Sequence, residues 1–131
     1  MDKNYKTTNT TISYINYNMV FCTRCNRKIF KDNKVKELFK TECEIVCNYL
    51  DVNITKMNID DYFVHMVVEA NPKYSANEII QKIKIHTSKI IRERIVSLNK
   101  LPSLWTREYL VTTDKELKES LLSTFLERQR K

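Results

Sequence analysis

The sequence contains no glycine and only two prolines among its 131 residues. Loops that cradle the phosphates of a nucleotide or dinucleotide depend on glycine, because only glycine lets the backbone approach a phosphate so closely. The absence of glycine therefore excludes both kinds of nucleotide-binding loop. It also predicts that turns with a left-handed backbone conformation are formed by asparagine or aspartate, which tolerate that conformation best after glycine.

The sequence also lacks a long apolar run, and its first residues, MDKNYKTTNTT, are polar. We therefore expect neither a signal peptide nor a membrane-spanning helix, no membrane partner, and a cytoplasmic protein. A length of 131 residues suits a single domain, 1–131, in which residues 1–10 are expected to be a flexible N-terminus.

Acidic residues are outnumbered by basic ones, with 16 aspartates and glutamates against 23 lysines and arginines, which gives a net charge of +7. Such an excess favours a polyanionic partner, usually a nucleic acid, although a membrane surface is the other interpretation. Charge alone does not decide between them, so the pattern of residues along the chain has to be considered.

The four cysteines are Cys22, Cys25, Cys43 and Cys47. Their spacing loosely imitates a four-cysteine zinc site. However, Cys43 and Cys47 continue the apolar face of a predicted helix, where a free cysteine behaves as a small hydrophobic residue. We favour this packing role and keep a zinc-stabilised interaction domain as a distant alternative.

Periodicity predicts seven elements in the order β-α-β-β-α-β-α. The predicted strands are 11–23, 52–59, 62–70 and 104–113, and the third of these is central because it is apolar on both faces. The first helix begins at the N-cap Asp32 and ends near Leu50, and capping boxes of Ser75 with Glu78 and of Thr113 with Glu116 begin the other two. This order predicts an α+β fold, a ferredoxin-like split βαβ sandwich with an antiparallel four-stranded sheet, two helices on one face and an added C-terminal helix.

Five segments together resemble the small single-tyrosine transposases of the HUH endonuclease superfamily, which move compact bacterial insertion sequences as single-stranded DNA. The segments are MVFCTRCNRKIF, KMNIDDYFVHMVV, NPKYSANEIIQKIKIHTS, LWTREYLVTT and STFLERQ. Each segment alone is a weak signal, but they follow in the family's order and spacing over nearly the whole chain.

The resemblance implies a catalytic arrangement that this sequence only partly retains. In the family, two histidines at i and i+2 of one strand hold Mg²⁺ or Mn²⁺, and a glutamine one helical turn after a nucleophilic tyrosine adds a third ligand. Here the matching positions are Phe63 and His65 for the histidines, Phe125 for the tyrosine and Gln129 for the glutamine. We therefore expect weak or lost binding of Mg²⁺ or Mn²⁺ and no tyrosyl transfer, with His65 and Gln129 as vestiges of the metal site.

The basic residues and the resemblance together favour nucleic-acid binding. Lysines and arginines on one face of the second long helix, together with those of the TRCNRK segment, are the candidate DNA-binding residues: Arg24, Arg27, Lys28, Lys82, Lys84, Lys89 and Arg92. Aromatic residues that could stack on unpaired bases are Tyr14, Tyr17, Tyr74 and Trp105. A merely solvated helix face is the alternative interpretation.

Three functions remain open at this stage. The first is a transposase-derived module that binds hairpin or single-stranded DNA, as a homodimer according to the resemblance. The second is a divergent but active transposase that uses a repositioned ligand or nucleophile. The third is a decayed product of an insertion sequence that folds and dimerises without binding a specific ligand.

Overall fold

The computed structural model describes residues 5–129 and contains one main sheet with helices on both faces. The strands of the sheet are β3 (Ile15–Thr23), β4 (Asn53–Ile59), β5 (Phe63–Ala70) and β6 (Trp105–Thr112), after a two-stranded pair formed by β1 (Lys6–Thr7) and β2 (Ile12–Ser13). The helices are α1 (Asn33–Tyr49), α2 (Ala76–Arg94) and α3 (Glu119–Arg128). The strand order is β4-β5-β3-β6 with every neighbouring pair antiparallel, which confirms the predicted ferredoxin-like α+β fold.

The N-terminal segment differs from the single strand predicted for 11–23. A short pair, Lys6–Thr7 with Ile12–Ser13, precedes the main strand, which begins only at Ile15. Lys6 forms an ion pair with Asp51, with 3.3 Å between Nζ and Oδ2. Residues 1–4 of the segment expected to be flexible lie outside the described residues.

The main core lies between one face of the sheet and helices α1 and α2. Alternate residues of the two central strands, such as Phe21 of β3 and Met66 of β5, contact buried residues of both helices. Both helices begin where local sequence signals predicted. The Asp32 side chain accepts a hydrogen bond from the Lys34 amide, and Ser75 and Glu78 form a reciprocal capping box.

The last helix begins later than predicted, so the predicted capping box of Thr113 with Glu116 is wrong. Both residues are exposed in the segment before α3, and the N-cap Lys118 makes no side-chain capping bond. Tertiary contacts override the local signal here. The Asn18 amide donates a hydrogen bond of 2.6 Å to the Asp114 carbonyl, and Leu117 packs beneath α3. These contacts hold the segment against the sheet in a non-helical conformation.

Within the described residues, positive φ angles occur at Cys25, Asn26 and Asp51. Asparagine and aspartate were expected at such positions in a chain without glycine, but Cys25 was not. The other three cysteines are buried on different sides of the sheet. Cys22 lies in the small cluster beneath α3, whereas Cys43 and Cys47 lie in the main core, so the four cysteines do not converge on one zinc site.

The described helices include no candidate for crossing a bilayer: within residues 5–129, none combines the required length with sufficient apolar character.

Candidate functional site

The candidate catalytic positions lie on the face of the sheet opposite the main core. Along β5 the side chains alternate between the two faces, so Val64 and Met66 are buried in the core while Phe63 and His65 are half-buried on the other side. The i, i+2 relation predicted from sequence is therefore present. Phe63 and His65 share a face, as two metal ligands at these positions would.

Helix α3 covers part of this second face and brings its Phe125 against the sheet. Phe125 is only 5% exposed and packs with Val20 and Cys22 of β3. Partly buried apolar residues that complete this second cluster are Phe63, Leu110, Leu117, Leu122 and Leu126. The positions that correspond to a metal ligand and a nucleophile are thus members of one apolar cluster. Burial there raises the pKa of the Cys22 thiol to about 12, so this thiol stays protonated.

His65 takes part in a hydrogen-bond relay beside this cluster. Its Nε2 lies 3.0 Å from Oδ1 of Asn18, and the Nδ2 group of Asn18 donates to the Asp114 carbonyl. The Asp114 carbonyl can only accept, so the nitrogen of the Asn18 amide must face Asp114 and its oxygen must face His65. Nε2 of His65 donates to that oxygen and must therefore carry the proton. Burial, with a smaller contribution from Lys56, lowers the pKa of His65 and favours the neutral ring.

Gln129 follows the last turn of α3 and is fixed against β6. Its amide nitrogen donates to Glu108, and its oxygen accepts a hydrogen bond of 2.9 Å from the Thr106 hydroxyl. The other carboxylate oxygen of Glu108 accepts from Arg128, so Glu108 holds both residues at the end of α3. Both polar atoms of the Gln129 side chain are therefore engaged within the protein.

These side chains supply fewer ligands than the resemblance implies for a divalent metal site. Phe63 offers no ligand atom, which leaves Nδ1 of His65 and the oxygen of Gln129, and this oxygen already accepts one hydrogen bond. Throughout residues 5–129, His, Cys, Asp and Glu side chains form no group of three or more that could hold a metal ion. Mg²⁺ and Mn²⁺ prefer oxygen and imidazole ligands, and two of the three expected side chains remain to supply them here.

The predicted DNA-binding residues do not form one exposed surface. Arg24, Lys28, Lys82 and Lys89 are exposed, and Arg27 and Arg92 are half-buried. Lys84 is 6% exposed, so its predicted place on an exposed basic helix face is wrong. Helix α2 packs against the edge strand β6 on that side, and the Lys84 ammonium donates to the carbonyl of Thr106 at 2.7 Å. Lys84 is buried because α2 packs against β6, which lies further along the chain.

The predicted stacking role of Trp105 is also wrong. Trp105 is 4% exposed, and its indole lies in an aromatic group of the main core with Phe21, Phe30 and Phe39. Its Nε1 donates to the Thr87 hydroxyl of α2 at 3.1 Å. The indole thus joins β6 to α2, and neither of its faces is available to a base.

Sequence reasoning missed a polar group that the irregular part of β6 brings together. The pairing of β6 with β3 shifts between Phe21 and Thr23. Their partners on β6, Tyr109 and Trp105, are separated by three residues: Thr106, Arg107 and Glu108. A bulge changes the direction in which side chains of an edge strand point. Here Arg107 is exposed to solvent and Glu108 lies at the end of α3. Nothing in a regular strand pattern marks such an irregularity, so the sequence held no clear signal for it.

Comparison with known proteins identifies the relationship. The family described as "Transposase IS200 like" matches residues 11–129. No curated protein sequence matches the chain. The fold is similar to a crystal structure of a candidate transposase from Deinococcus radiodurans R1, with a TM-score of 0.85 at 16% identity over 95% of this chain and 97% of that one. It is also similar to a REP-associated tyrosine transposase bound to a REP hairpin, with a TM-score of 0.61 at 9% identity over 89% and 68% of the two chains.

Because the family match spans almost the whole described chain and the fold agrees with it, this protein belongs to the IS200-like transposase family.

Proposed function

We propose that this chain is a transposase-like protein that binds hairpin or single-stranded DNA and has lost tyrosine-mediated cleavage and rejoining. The observation that carries the proposal is the second cluster, in which Phe125 and Phe63 pack together with Val20 and Cys22. The positions that would attack and polarise a phosphate have become part of an apolar contact.

The chemistry of the side chains supports the loss of tyrosyl transfer. Tyrosyl transfer requires a phenolic oxygen that attacks phosphorus and remains bonded to it, and Phe125 has no such oxygen. The neighbouring hydroxyls do not replace it. Ser123 and Thr124 are exposed on another side of α3 from the buried Phe125, and the Thr124 hydroxyl donates to the Ser120 carbonyl.

DNA binding is supported by charge, family and fold together. The chain carries a net charge of +7, and four of the predicted DNA-binding residues are exposed: Arg24, Lys28, Lys82 and Lys89. A protein of similar fold is a tyrosine transposase bound to a REP hairpin, which makes a DNA hairpin the first ligand to test. Binding through phosphate contacts is expected to weaken steeply as salt is added.

The resemblance also leads us to propose a homodimer and weak or absent binding of Mg²⁺ and Mn²⁺. The replacement of one expected ligand by Phe63 supports the second proposal, because a phenyl ring has no lone pair to donate to a metal. The molar mass in solution tests the dimer, and calorimetric titration with Mn²⁺ tests metal binding.

The proposed function is tested with labelled hairpin and single strands, in assays for binding and for covalent attachment. The unmodified protein is expected to bind hairpins more tightly than random strands and to form no covalent product. The double variant Phe63→His with Phe125→Tyr restores both functional groups. Its control, Phe63→Leu with Phe125→Leu, changes the same positions without adding either group.

The outcomes separate the three functions. A covalent product from the unmodified protein contradicts the loss of catalysis and supports a divergent active transposase. Binding without any preference for hairpins supports a decayed protein without a specific ligand. Cleavage by the restored variant but not by its leucine control supports a dismantled catalytic site in which His65 is the surviving ligand.

A further inference from the structure

An open hollow of about 650 Å³ lies between α2 and the edge strand β6, and none of its described lining residues belongs to the second cluster. We name it the edge hollow. Three cationic residues line it, Lys84, Arg92 and Arg107, and none of the described residues in its wall is acidic. Its size lies in the range of ligand sites, and its charge is of one sign. Such a wall favours an anionic ligand.

Lys84 is the most informative of the three cations because it is buried without a carboxylate partner among the described residues. Its ammonium donates to the carbonyls of Thr106 and Arg107 and lies 5.9 Å from the centre of the Tyr109 ring. Carbonyl dipoles orient the ammonium without neutralising its charge. Burial lowers the pKa of Lys84, so an anion in the edge hollow would favour the charged form.

Arg92 is held in the same manner. Its guanidinium donates to the backbone carbonyls of Ser88, Leu101 and Pro102, so it is fixed in place while its charge remains uncompensated. Between these two cations lies Ser88, whose side chain is nine-tenths buried and lines the hollow. A serine hydroxyl in this wall can donate a hydrogen bond to a ligand.

A second hollow, of about 570 Å³, continues from the edge hollow toward the end of α3. The two hollows share Thr106 and Arg107 of the β6 bulge. Arg24 and Arg128 line the second hollow, and there Glu108 pairs with Arg128. Cations therefore follow one another from Arg92 to Arg24 along the edge of the sheet. A linear polyanion fits this arrangement better than a compact anion does.

We infer that the edge hollow binds the phosphodiester backbone of a single DNA strand, which continues through the second hollow to the end of α3. Lys84, Arg92 and Arg107 bind its phosphates, and Ser88 donates a hydrogen bond to one of them. This inference rests on the proposed function and adds a location: the strand follows the β6 edge rather than the exposed helix face that carries Lys82 and Lys89.

The inference is tested by the salt dependence of binding to a short labelled oligothymidylate, which has no hairpin. The test variants are Arg107→Gln, which is exposed, and Lys84→Met, which is buried. The control is Lys34→Gln on α1, which removes the same charge from an exposed site outside both hollows, and Lys82→Gln on α2 tests the alternative path along the exposed helix face. Circular dichroism melting of each variant establishes that it is folded.

Each lost phosphate contact lowers the slope of log affinity against log salt by about 0.7 for a single strand. Raising the salt from about 50 to 200 mM lowers the affinity of every variant by some factor. For Arg107→Gln and for Lys84→Met this factor is therefore expected to be about threefold smaller than for the unmodified protein. The control variant Lys34→Gln is expected to keep its slope.

The failure of the inference differs from the failure of the proposed function. If the unmodified protein binds the strand and Arg107→Gln behaves like Lys34→Gln, the edge hollow is not the path and DNA binding stands. A lowered slope only for Lys82→Gln places the strand on the exposed helix face and likewise overturns the inference. If the unmodified protein binds neither hairpin nor single strand, the proposed function and the inference both fall.

Discussion

The two faces of the central sheet are covered to very different extents. One face carries α1 and α2, of 17 and 19 residues, over a core in which Phe21, Phe39 and Trp105 interlock. The other face carries only α3, of 10 residues, over the small second cluster around Phe125. The first face makes the fold, and the second holds the positions that the resemblance implies for the metal and the nucleophile. Substitution at those positions can therefore change the second face while the fold survives.

The largest expected effect comes from breaking the first face. Phe39 is fully buried and its ring lies 5.5 Å from that of Phe30 and 5.6 Å from that of Trp105. Phe39→Ala is expected to lower the free energy of unfolding by about 3–5 kcal/mol, because it removes apolar contacts and leaves a cavity that rigid neighbours cannot fill. Chemical denaturation measures this loss. A loss below about 1 kcal/mol would mean that the core is looser than its geometry indicates.

A smaller and more local effect is expected from Phe125→Ala on the second face. The second cluster borders solvent, so α3 can separate from the sheet while the main core stays folded. We expect a loss of roughly 1–3 kcal/mol, with amide hydrogen exchange accelerated in α3 but not in β3 or β5.

The matched control is Phe125→Leu, which keeps an apolar side chain and is expected to preserve slow exchange in α3. Equal acceleration throughout the sheet in Phe125→Ala would show that the two faces unfold as one unit, contrary to the comparison drawn above.

The third expected effect concerns the polar attachment of α3. Glu108→Gln removes the charge that binds Arg128 and is expected to lower the free energy of unfolding by about 0.5–1 kcal/mol, less at high salt. Glu93→Gln is its control, because Glu93 is exposed on α2 and forms no ion pair among the described residues. An equal change in both variants would mean that the Glu108 contact contributes nothing specific to the docking of α3.

The smallest expected effect is a pH dependence from His65. Its pKa in the folded protein lies below the ordinary value of 6.5, so below pH 6.5 the unfolded chain binds a proton that the folded chain resists. The contribution of neutral His65 to the free energy of unfolding is therefore complete above pH 6.5, and it is lost as the pH falls toward the lowered pKa. His65→Gln is expected to flatten the pH profile in that window, as measured by thermal melting. An unchanged profile would show that His65 titrates alike in both states.

The fold was predictable because most of its signals are local. Asp32 and the Ser75–Glu78 pair begin their helices as expected, and β5 alternates between core and site residues as its sequence indicates. Three of the errors involve distant contacts. Lys84 and Trp105 have ordinary positions in their own elements, and contacts between α2 and β6 contribute to burying both of them. The Thr113–Glu116 pair has the sequence of a helix start, but the bond from Asn18 holds that segment on the sheet.

The candidate site was predictable only in part, and for a similar reason. The resemblance predicts Phe63, His65, Phe125 and Gln129 as the site positions, and this prediction implies which functional groups are missing. It could not show that the two phenylalanines meet in one apolar cluster, or that Glu108 and Thr106 engage Gln129, because both depend on how α3 lies across β3 and β6.

The ammonium of Lys84 has one more consequence, for self-association. Edge strands with unoccupied carbonyls can pair with a strand of another molecule, and β6 is such an edge. At Thr106 and Arg107 the carbonyls already accept from Lys84, which disfavours further strand pairing at this end of β6. A second copy that extended the sheet would join it more readily at the opposite end of β6, or along β4.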